Sequence, residues 1–222
     1  MNKVVVIAVH PDDETLGCGG TLLRHKAQGD EINWLIATDM QEKHGFKKKD
    51  IKIREREINS VAKAYGFENV HTLGIPTIKV DTLAQDTIVK KISKVFNEIK
   101  PRVVYLPFYG DPHSDHRQIF EATFSCLKTF RSPFVKKVLM METISETEFA
   151  PSFEETTFRP NYFKDISETI NKKISIFHIY KSEIKQHPFP RNAKNIKALA
   201  TFRGAMAGCK YAESFMLLKE IA

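Results

Sequence analysis

Predominantly apolar runs alternate with amphipathic segments along most of the chain, and the two kinds of segment predict different elements. The apolar runs are short and rich in β-branched residues, as is typical of strands buried on both faces of a sheet. They predict strands at residues 3–9, 32–38, 69–73, 103–106 and 138–141, with a closing strand at 213–218. The amphipathic segments predict helices at residues 14–29, 51–66, 83–100, 114–130, 166–184 and 193–208.

This alternation of strands and helices predicts the fold class. It favours an α/β fold, namely a Rossmann-like three-layer α/β/α sandwich with a mostly parallel central sheet. The chain contains neither an internal repeat nor a low-complexity linker, so we expect one domain over residues 1–222. Two polar stretches, residues 40–50 and 143–165, are predicted to be loops, and the second is long enough to form a wall or lid over a site.

The composition of the chain narrows the class of protein further. Apolar runs of about 18 residues are missing, so we expect no transmembrane helix. The first residues enter a strand directly and do not have the basic, apolar and cleavage regions of a secretory signal. The three cysteines are scattered, which is typical of a cytoplasmic protein with reduced thiols.

The chain is basic, with a net charge of +7. A basic surface suits nucleic acid, anionic lipid headgroups or a phosphorylated substrate. The densest basic run, residues 47–56, is interrupted by Asp50 and Glu55 and has no accompanying aromatic residues on which bases would stack. We therefore interpret this run as the solvated start of a helix, and we do not expect nucleic-acid binding.

A first cluster of polar residues follows directly after the first predicted strand. The apolar run ends at His10-Pro-Asp-Asp-Glu14, which places one imidazole and three carboxylates at the carboxyl end of the strand. Adjacent aspartates repel each other unless a cation or hydrogen-bond donors compensate. One interpretation is a solvated turn in which Asp12 or Asp13 caps the next helix. The alternative is a ligand site, since ligands bind at this edge of open α/β sheets.

A second polar cluster, about a hundred residues later in the chain, decides between these interpretations. It follows the predicted strand at 103–106 and presents His113, Asp115 and His116. Two parallel strands of one sheet open their loops at the same edge, so the two clusters are expected to meet. Two histidines and an aspartate, with a further position left for water, are typical of a catalytic zinc site. Spacing alone does not say which aspartate or histidine is a ligand.

The two clusters together resemble the motifs of the LmbE-like (PIG-L-like) zinc-dependent N-acetylglucosaminyl deacetylases. That family carries an Ala-His-Pro-Asp-Asp-Glu box and a later His-x-x-His box, which stand here as Val9-His-Pro-Asp-Asp-Glu14 and His113-Ser-Asp-His116. Val9 replaces the leading alanine, which we expect to affect only packing. The resemblance continues in Arg54-Glu-Arg-Glu57 and in Tyr211-Ala-Glu-Ser-Phe215, and it spans nearly the whole chain.

The resemblance implies a metal site. The ligands it implies are His10, Asp13 and His116. They would hold one zinc ion per chain, although Fe(II) or Co(II) also suits two histidines and an aspartate.

The resemblance also implies roles for four further residues. Asp12 matches the general base, and His113 matches the residue that stabilises the oxyanion or protonates the leaving nitrogen. Asp115 matches a carboxylate that orients His113, and Arg54 matches a position at the substrate pocket. Arg203 and Glu213 lie in a matching C-terminal segment, where a buried ion pair and a substrate contact are equally compatible with the sequence.

The function implied is hydrolysis of the N-acetyl group of an amino sugar or glycoconjugate. The net positive charge of the chain favours an anionic substrate of this class, such as a nucleotide sugar or a surface-polysaccharide intermediate. Alternatives are a zinc amidohydrolase that acts on a non-sugar N-acyl substrate and a non-catalytic α/β ligand-binding module. The sequence does not identify the sugar, and it leaves open whether the chain forms a homo-oligomer.

Overall fold

A computed structural model describes all 222 residues of the chain. Seven strands form one sheet, and six α-helices pack against it. The strands are β1 (Lys3–Ala8), β2 (Glu31–Asp39), β3 (Asn69–Pro76), β4 (Val103–Leu106), β5 (Lys137–Met141), β6 (Tyr162–Asp165) and β7 (Ala212–Glu220). The helices are α1 (Asp13–Ala27), α2 (Lys48–Tyr65), α3 (Gln85–Ile99), α4 (Ser114–Cys126), α5 (Ile170–Phe177) and α6 (Ala193–Ala207).

The order of the strands places the two polar clusters side by side. The sheet runs β3-β2-β1-β4-β5-β7-β6, and the first five strands of this order are parallel. Only β7 runs against its neighbours, since it pairs antiparallel with both β5 and β6. The chain winds outward from β1 to β3 and then returns to place β4 beside β1. The point between β1 and β4 is therefore the topological switch point, where α/β sheets bind their ligands.

Alternate residues of β1 face two separate cores. Val4, Val6 and Ala8 belong to a core that also contains residues of α1, α5 and α6. Val5 and Ile7 belong to a core on the opposite face, which contains residues of α3 and α4. The continuous apolar run of β1 is thus explained by burial on both faces, and the predicted three-layer architecture is confirmed.

Besides shifts of a few residues at element ends, such as α2 beginning at Lys48 and α4 ending at Cys126, two segments differ from the sequence-based expectation. The stretch at 143–165 is not only loop, because its last residues form β6 at the edge of the sheet. The predicted helix at 166–184 is shorter and ends at Phe177. Beyond the helix, the Tyr180 hydroxyl donates to Glu14 and the amide of Lys181 donates to Glu57.

The helices and cysteines add two further observations. No helix combines the length and the apolar character needed to span a bilayer. None of the three cysteines forms a disulfide.

Candidate active site

The loops after β1 and β4 bring the two polar clusters together, as the sequence predicts. The rings of His10 and His113 lie 4.7 Å apart between centroids, and those of His10 and His116 lie 5.2 Å apart. Asp12, Asp13 and Asp115 are buried among them. All six candidate residues of the two motifs therefore lie in one site, and Arg54 lines the adjoining cavity.

Asp13 shapes the end of β1 and faces a histidine. Its Oδ2 accepts the backbone N–H groups of Val9 and His10, each at 2.9 Å, and lies 3.3 Å from His116 Nε2. Burial opposes ionisation of Asp13, but the neighbouring His116 and His10 outweigh it and hold the pKa of Asp13 well below its usual range. The carboxylate is thus kept charged in the interior of the protein.

His116 is oriented by a residue that the sequence analysis did not single out. Its Nδ1 lies 2.9 Å from Asp111 Oδ2, and both side chains are buried. A carboxylate can only accept, so Nδ1 carries a proton, and Nε2 is the nitrogen left to face a metal. Nε2 faces Asp13 Oδ2 and His10 Nδ1, each 3.3 Å away. A carboxylate behind a histidine in this way is typical of metal-binding histidines.

The donor atoms of His10, Asp13 and His116 fit a transition metal. They lie within 4.8 Å of one another, and two of their separations are 3.3 Å. A tetrahedral ion with bonds of about 2.0–2.1 Å places its ligands about 3.3–3.4 Å apart. Two imidazole nitrogens and a carboxylate converge on one point. Burial disfavours a charged His116, but Asp13 and Asp111 outweigh it and raise the pKa of His116 well above its usual range, so this point favours positive charge. We conclude that this donor set is suited to a metal ion.

A second group, formed by His10, His113 and Asp115, fits a metal less well. The Asp115 carboxylate already accepts the backbone N–H groups of Ile78 at 2.7 Å and Val80 at 3.3 Å. Its Oδ2 lies 3.5 Å from His10 Nε2, so it faces His10 and makes no hydrogen bond to the His113 ring. The expected orientation of His113 by Asp115 comes from the backbone instead, since the Asp115 N–H donates to His113 Nδ1 at 3.1 Å.

This backbone contact fixes the protonation of His113. His113 is the N-cap of α4, and its side chain accepts the Asp115 amide in the way that a capping aspartate would. Because Nδ1 accepts, the neutral ring carries its proton on Nε2. Burial and the nearby His10 and His116 lower the pKa of His113 to about 4. His113 is therefore a neutral N–H donor near neutral pH.

Asp12 lies next to the candidate ligands in an unusual backbone conformation. It is 1% exposed, and its φ of 138° lies in a region that favours glycine. Its backbone N–H donates to Glu14 Oε2 at 3.1 Å, and its Oδ2 accepts from Arg191 Nη1 at 2.9 Å. Burial raises the pKa of Asp12 well above its usual range, and Arg191 opposes part of this effect.

Glu14, the last residue of the first motif, accepts a hydrogen bond from the backbone N–H of Asp12. The side chain is fully buried and accepts hydrogen bonds from Thr15 at 2.5 Å and from Tyr180 at 2.8 Å. Burial raises the pKa of Glu14 to about 7. Its contact with the Asp12 amide helps to hold the strained backbone at that residue.

Arg54 lies in the site but is already paired. Its guanidinium donates to the carbonyl oxygen of Pro11 at 2.8 Å and contacts the Glu183 carboxylate, and Glu57 lies 3.5 Å from its Nε. These contacts join α2 to the loop after β1. The structure places Arg54 at the cavity wall, where its charge is shared with two carboxylates.

A cavity of about 530 Å³ opens beside the candidate metal ligands. Its lining includes His10, Asp12 and His113 at one end and residues of α2 at the other. Six acidic residues line it, namely Asp12, Asp39, Asp50, Glu55, Glu57 and Glu183. Its only basic side chains with a permanent charge are those of Arg54 and Arg191. The cavity is thus acidic although the chain as a whole is basic.

Arg203 and Glu213 lie away from this cavity. Each belongs to an ion pair, but with a different partner: Arg203 pairs with Glu142, and Glu213 pairs with the buried Lys173 at 2.7 Å. Glu213 also accepts the backbone N–H groups of Gly20 and Thr21 within α1. Both residues therefore make structural ion pairs.

Comparison with known proteins agrees with this geometry. The family model described as PIG-L, GlcNAc-PI de-N-acetylase, matches residues 5–127, more than half of the chain. The matched region contains both polar motifs. The chain belongs to the PIG-L family. The family resemblance of the two motifs is thereby confirmed.

Individual relatives of this PIG-L family member cover its full length. A diacetylchitobiose deacetylase of Thermococcus kodakarensis is 26% identical over 235 residues, which span 100% of this chain and 85% of the relative. The crystal structure of the conserved protein TT1542 from Thermus thermophilus superposes with a TM-score of 0.78 at 25% identity, covering 100% of this chain and 97% of that one.

A further solved structure shows that the fold alone does not fix a reaction. The 4-carboxy-2-hydroxymuconate hydratase of Pseudomonas putida has a TM-score of 0.73 at 18% identity, with 100% of this chain and 98% of that one covered. Its similarity extends to the fold only. The activity of a chain with this fold therefore depends on its site residues.

Sequence reasoning missed four polar residues of the site. Asp111 lies inside the second motif region, and its position two residues before His113 was the available signal. The other three, Glu146, Glu183 and Arg191, come from segments after β5 and α5 that carry no recognisable motif. Their involvement follows from tertiary contacts that the sequence does not encode locally.

Proposed function

We propose that this protein is a metal-dependent hydrolase that removes the N-acetyl group from an amino sugar. The observation that carries the proposal is the juxtaposition of a buried carboxylate with one oxygen unpaired, Asp12, with the three converging donors of His10, Asp13 and His116 at the end of a cavity. The similarity to a diacetylchitobiose deacetylase supports the same reaction class.

The donor set of His10, Asp13 and His116 would hold the metal, and we propose zinc. Two imidazoles and one carboxylate are the protein ligands of many catalytic zinc sites, although Fe(II) and Co(II) also accept them. The metal would supply Lewis acidity, which polarises the amide carbonyl and lowers the pKa of water. Proton transfer and stabilisation of the oxyanion are assigned to residues of the chain.

Asp12 is proposed to move the proton. Its Oδ2 is occupied by Arg191, whereas Oδ1 makes no hydrogen bond and Asp12 lines the cavity. Oδ1 is thus available to take a proton from the attacking water. The same carboxyl would then deliver that proton to the nitrogen of the amide as its bond to the acetyl carbon breaks. Water is consumed, and acetate and a free amine are released.

His113 is proposed to stabilise the oxyanion rather than to act as the acid. Its Nδ1 accepts the Asp115 amide, which leaves a neutral Nε2–H. An imidazolium would place two N–H donors against each other at this contact. A fixed neutral donor near the carbonyl is suited to the charge that develops on the amide oxygen.

The charges of the cavity support a neutral or cationic sugar as the substrate. Both arginines in its lining are engaged by carboxylates, Arg54 by Glu183 and Arg191 by Asp12. No lysine lines the cavity, and the lining residues Asp39, Asp50 and Glu55 form no salt bridge. A phosphate or carboxylate would find no free cation there. We therefore favour an uncharged N-acetylated oligosaccharide over the anionic nucleotide sugar expected from the overall charge.

The test is metal analysis paired with amine release. Purified protein is assayed for bound metal and for release of free amine from N,N′-diacetylchitobiose, N-acetylglucosamine and a nucleotide-linked N-acetylglucosamine. We expect one metal per chain, chelator-sensitive release, and a preference for the uncharged sugars. The Asp12→Ala variant should keep its metal and lose at least about 100-fold in kcat.

Three results would contradict the proposal. Absence of metal uptake on addition of zinc would remove the site, and full activity of Asp12→Ala would remove the base. Metal binding without release from any N-acetyl sugar, together with hydrolysis of a non-sugar N-acyl amide, would favour the broader amidohydrolase class instead.

A further inference from the structure

Arg191 forms ion pairs with three carboxylates around the site, those of Asp12, Glu146 and Glu183. It lies 179 residues from Asp12 in sequence, yet its Nη1 donates to Asp12 Oδ2 at 2.9 Å and to Glu183 Oε2 at 2.9 Å. Its Nη2 donates to Glu146 Oε1 at 3.0 Å and its Nε to Ser145 Oγ at 2.6 Å. One guanidinium therefore joins the loop after β1 to two segments from the C-terminal half of the chain.

The contact with Asp12 acts on one oxygen of the carboxylate. Arg191 holds Oδ2, while Oδ1 receives no hydrogen bond and Asp12 itself lines the cavity. A carboxylate without this contact would be free to rotate about its Cβ–Cγ bond. Arg191 thus selects the oxygen that is presented to a bound substrate.

Two of the three residues near the site with a strained backbone are partners of Arg191, and the third, Ile78, donates its N–H to Asp115 instead. Four non-glycine residues of the chain have a positive φ, and two of them are Asp12, at 138°, and Ser145, at 77°. Both accept a side-chain hydrogen bond from Arg191. Strained conformations persist only where surrounding contacts over-determine them, and they cluster at functional sites. Arg191 supplies such a contact to each of these two residues.

From these contacts we infer that Arg191 is a positioning residue for Asp12. It fixes the carboxylate that we assign as the base, and it ties the segments at 145–146 and 183 around that carboxylate. This inference rests on the proposed function, because that function assigns Asp12 as the catalytic base. Arg191 acts through Asp12 and not through the substrate.

The geometry argues against a direct substrate contact by Arg191. All three of its guanidinium nitrogens already donate to protein groups, and its side chain is only 18% exposed. Binding a substrate anion would require breaking at least one charge-assisted hydrogen bond, which are the stronger class of such bonds. A role in holding neighbouring side chains accounts for every contact observed.

The kinetic test compares Arg191→Ala and Arg191→Lys with Arg203→Ala. Arg203 is a matched control, since it is similarly buried and paired with Glu142 but lies outside the cavity. We expect Arg191→Ala to lower kcat by about 100-fold with little change in KM and with its metal retained, because small displacements of a reacting group have effects of this size. Arg191→Lys and added guanidinium should each restore part of kcat, and Arg203→Ala should keep kcat near that of the natural protein.

Two kinetic outcomes would overturn the inference. A rise in KM with an unchanged kcat would show that Arg191 binds substrate. Equal losses of kcat and of thermal stability in Arg191→Ala and Arg203→Ala would show that Arg191 serves the fold alone.

A crystal structure of metal-loaded Arg191→Ala tests the inference without activity. We expect the Asp12 carboxylate to rotate or to occupy more than one position, while His10, Asp13 and His116 keep their places. An Asp12 carboxylate unchanged in position and order would overturn the inference. This readout also separates the two proposals: a natural protein inactive on every N-acetyl sugar contradicts the proposed function, whereas the position of Asp12 decides the role of Arg191.

Discussion

Asp111 Oδ2 lies 2.9 Å from Nδ1 of His116, and the two side chains are each 1% exposed. This contact fixes which nitrogen of His116 faces Asp13 and His10. Asp111 itself is held in place by the backbone, since its Oδ1 accepts the His113 amide at 2.9 Å. The candidate ligand is therefore oriented by a residue that does not touch the metal position.

Asp111→Asn should weaken metal binding by about 10- to 100-fold, because partners behind ligating histidines typically contribute this much affinity. The amide presents a weaker acceptor, and its NH₂ group can face Nδ1–H and turn the ring. Affinity is measured by competition with a chromophoric chelator. The exposed Asp86, which pairs with Lys90 on α3, provides the matched control Asp86→Asn, with unchanged affinity expected. Equal affinities of the two variants would remove the orienting role of Asp111.

The buried Lys173–Glu213 pair predicts a large effect on stability. Lys173 Nζ lies 2.7 Å from Glu213 Oε1 and also donates to the Leu16 carbonyl at 2.8 Å. Both residues hydrogen-bond to backbone groups of α1 near Cys18, whose own φ and ψ are not helical. Lys173→Met leaves Glu213 buried without its counter-charge, so we expect a loss of about 3–5 kcal/mol in the free energy of unfolding. Chemical denaturation measures this loss.

A second variant separates the charge from the packing. Lys173→Met combined with Glu213→Leu removes both charges, and such replacements are often neutral or stabilising relative to a broken pair. The amides of Gly20 and Thr21 would then lose their acceptor, so we expect only partial recovery. A single Lys173→Met variant as stable as the natural protein would contradict the structural role of this pair.

The sequence predicts those parts of the fold and site that are encoded locally. The run from Val4 to Val9 and the polar residues that follow it are contiguous, so the strand and its candidate ligands were predicted together. The edge strand β6 was missed because its residues are only partly buried and show no clear alternation.

The residues that sequence reasoning could not find act across long separations. Arg191 lies in the segment between α5 and α6, and it contacts Asp12 across 179 residues of sequence only because this segment folds back onto the loop after β1. The charge of the cavity was also not predictable, since net charge is a property of the whole surface. Apart from Arg54 and Arg191 the lysines and arginines lie elsewhere, and the cavity is lined by carboxylates from the loop after β1, from β2, from α2 and from the segment after α5.

His25 predicts how stability depends on pH at a position remote from the site. It is 8% exposed, with Nδ1 2.8 Å from Asp30 Oδ2 and Nε2 2.9 Å from the Tyr105 hydroxyl. Burial lowers the pKa of His25 below its ordinary value, although Asp30 opposes this. Below about pH 6.5 the unfolded chain therefore binds a proton that the folded protein does not, and stability is lost as the pH falls.

The His25→Gln variant isolates this contribution. It should be less stable than the natural protein at neutral pH, since it loses hydrogen bonds, but its stability should fall less between about pH 7 and pH 5. Unfolding in denaturant at several pH values measures the two slopes. His44, exposed in the loop before α2, provides the control His44→Gln, whose slope should match that of the natural protein. A slope unchanged in His25→Gln would contradict the assignment.

The acidic cavity predicts that substrate charge can be retuned at Glu55. This residue is exposed on α2, lines the cavity and forms no salt bridge. Glu55→Lys should lower KM for a nucleotide-linked N-acetylglucosamine by about two- to fivefold, the size of a single exposed charge contact, and should leave KM for diacetylchitobiose nearly unchanged. The effect should weaken as salt is raised, because exposed charges are screened.

The control for this prediction carries the same charge change on the other side of the sheet. Glu121 is exposed on α4 and does not line the cavity, so Glu121→Lys alters the net charge of the chain equally. A gain confined to Glu55→Lys would locate substrate discrimination in the cavity, because a field of the whole protein would respond to both variants. Equal gains in the two variants would instead show that overall charge attracts the anion, and they would restore the expectation drawn from the basic composition.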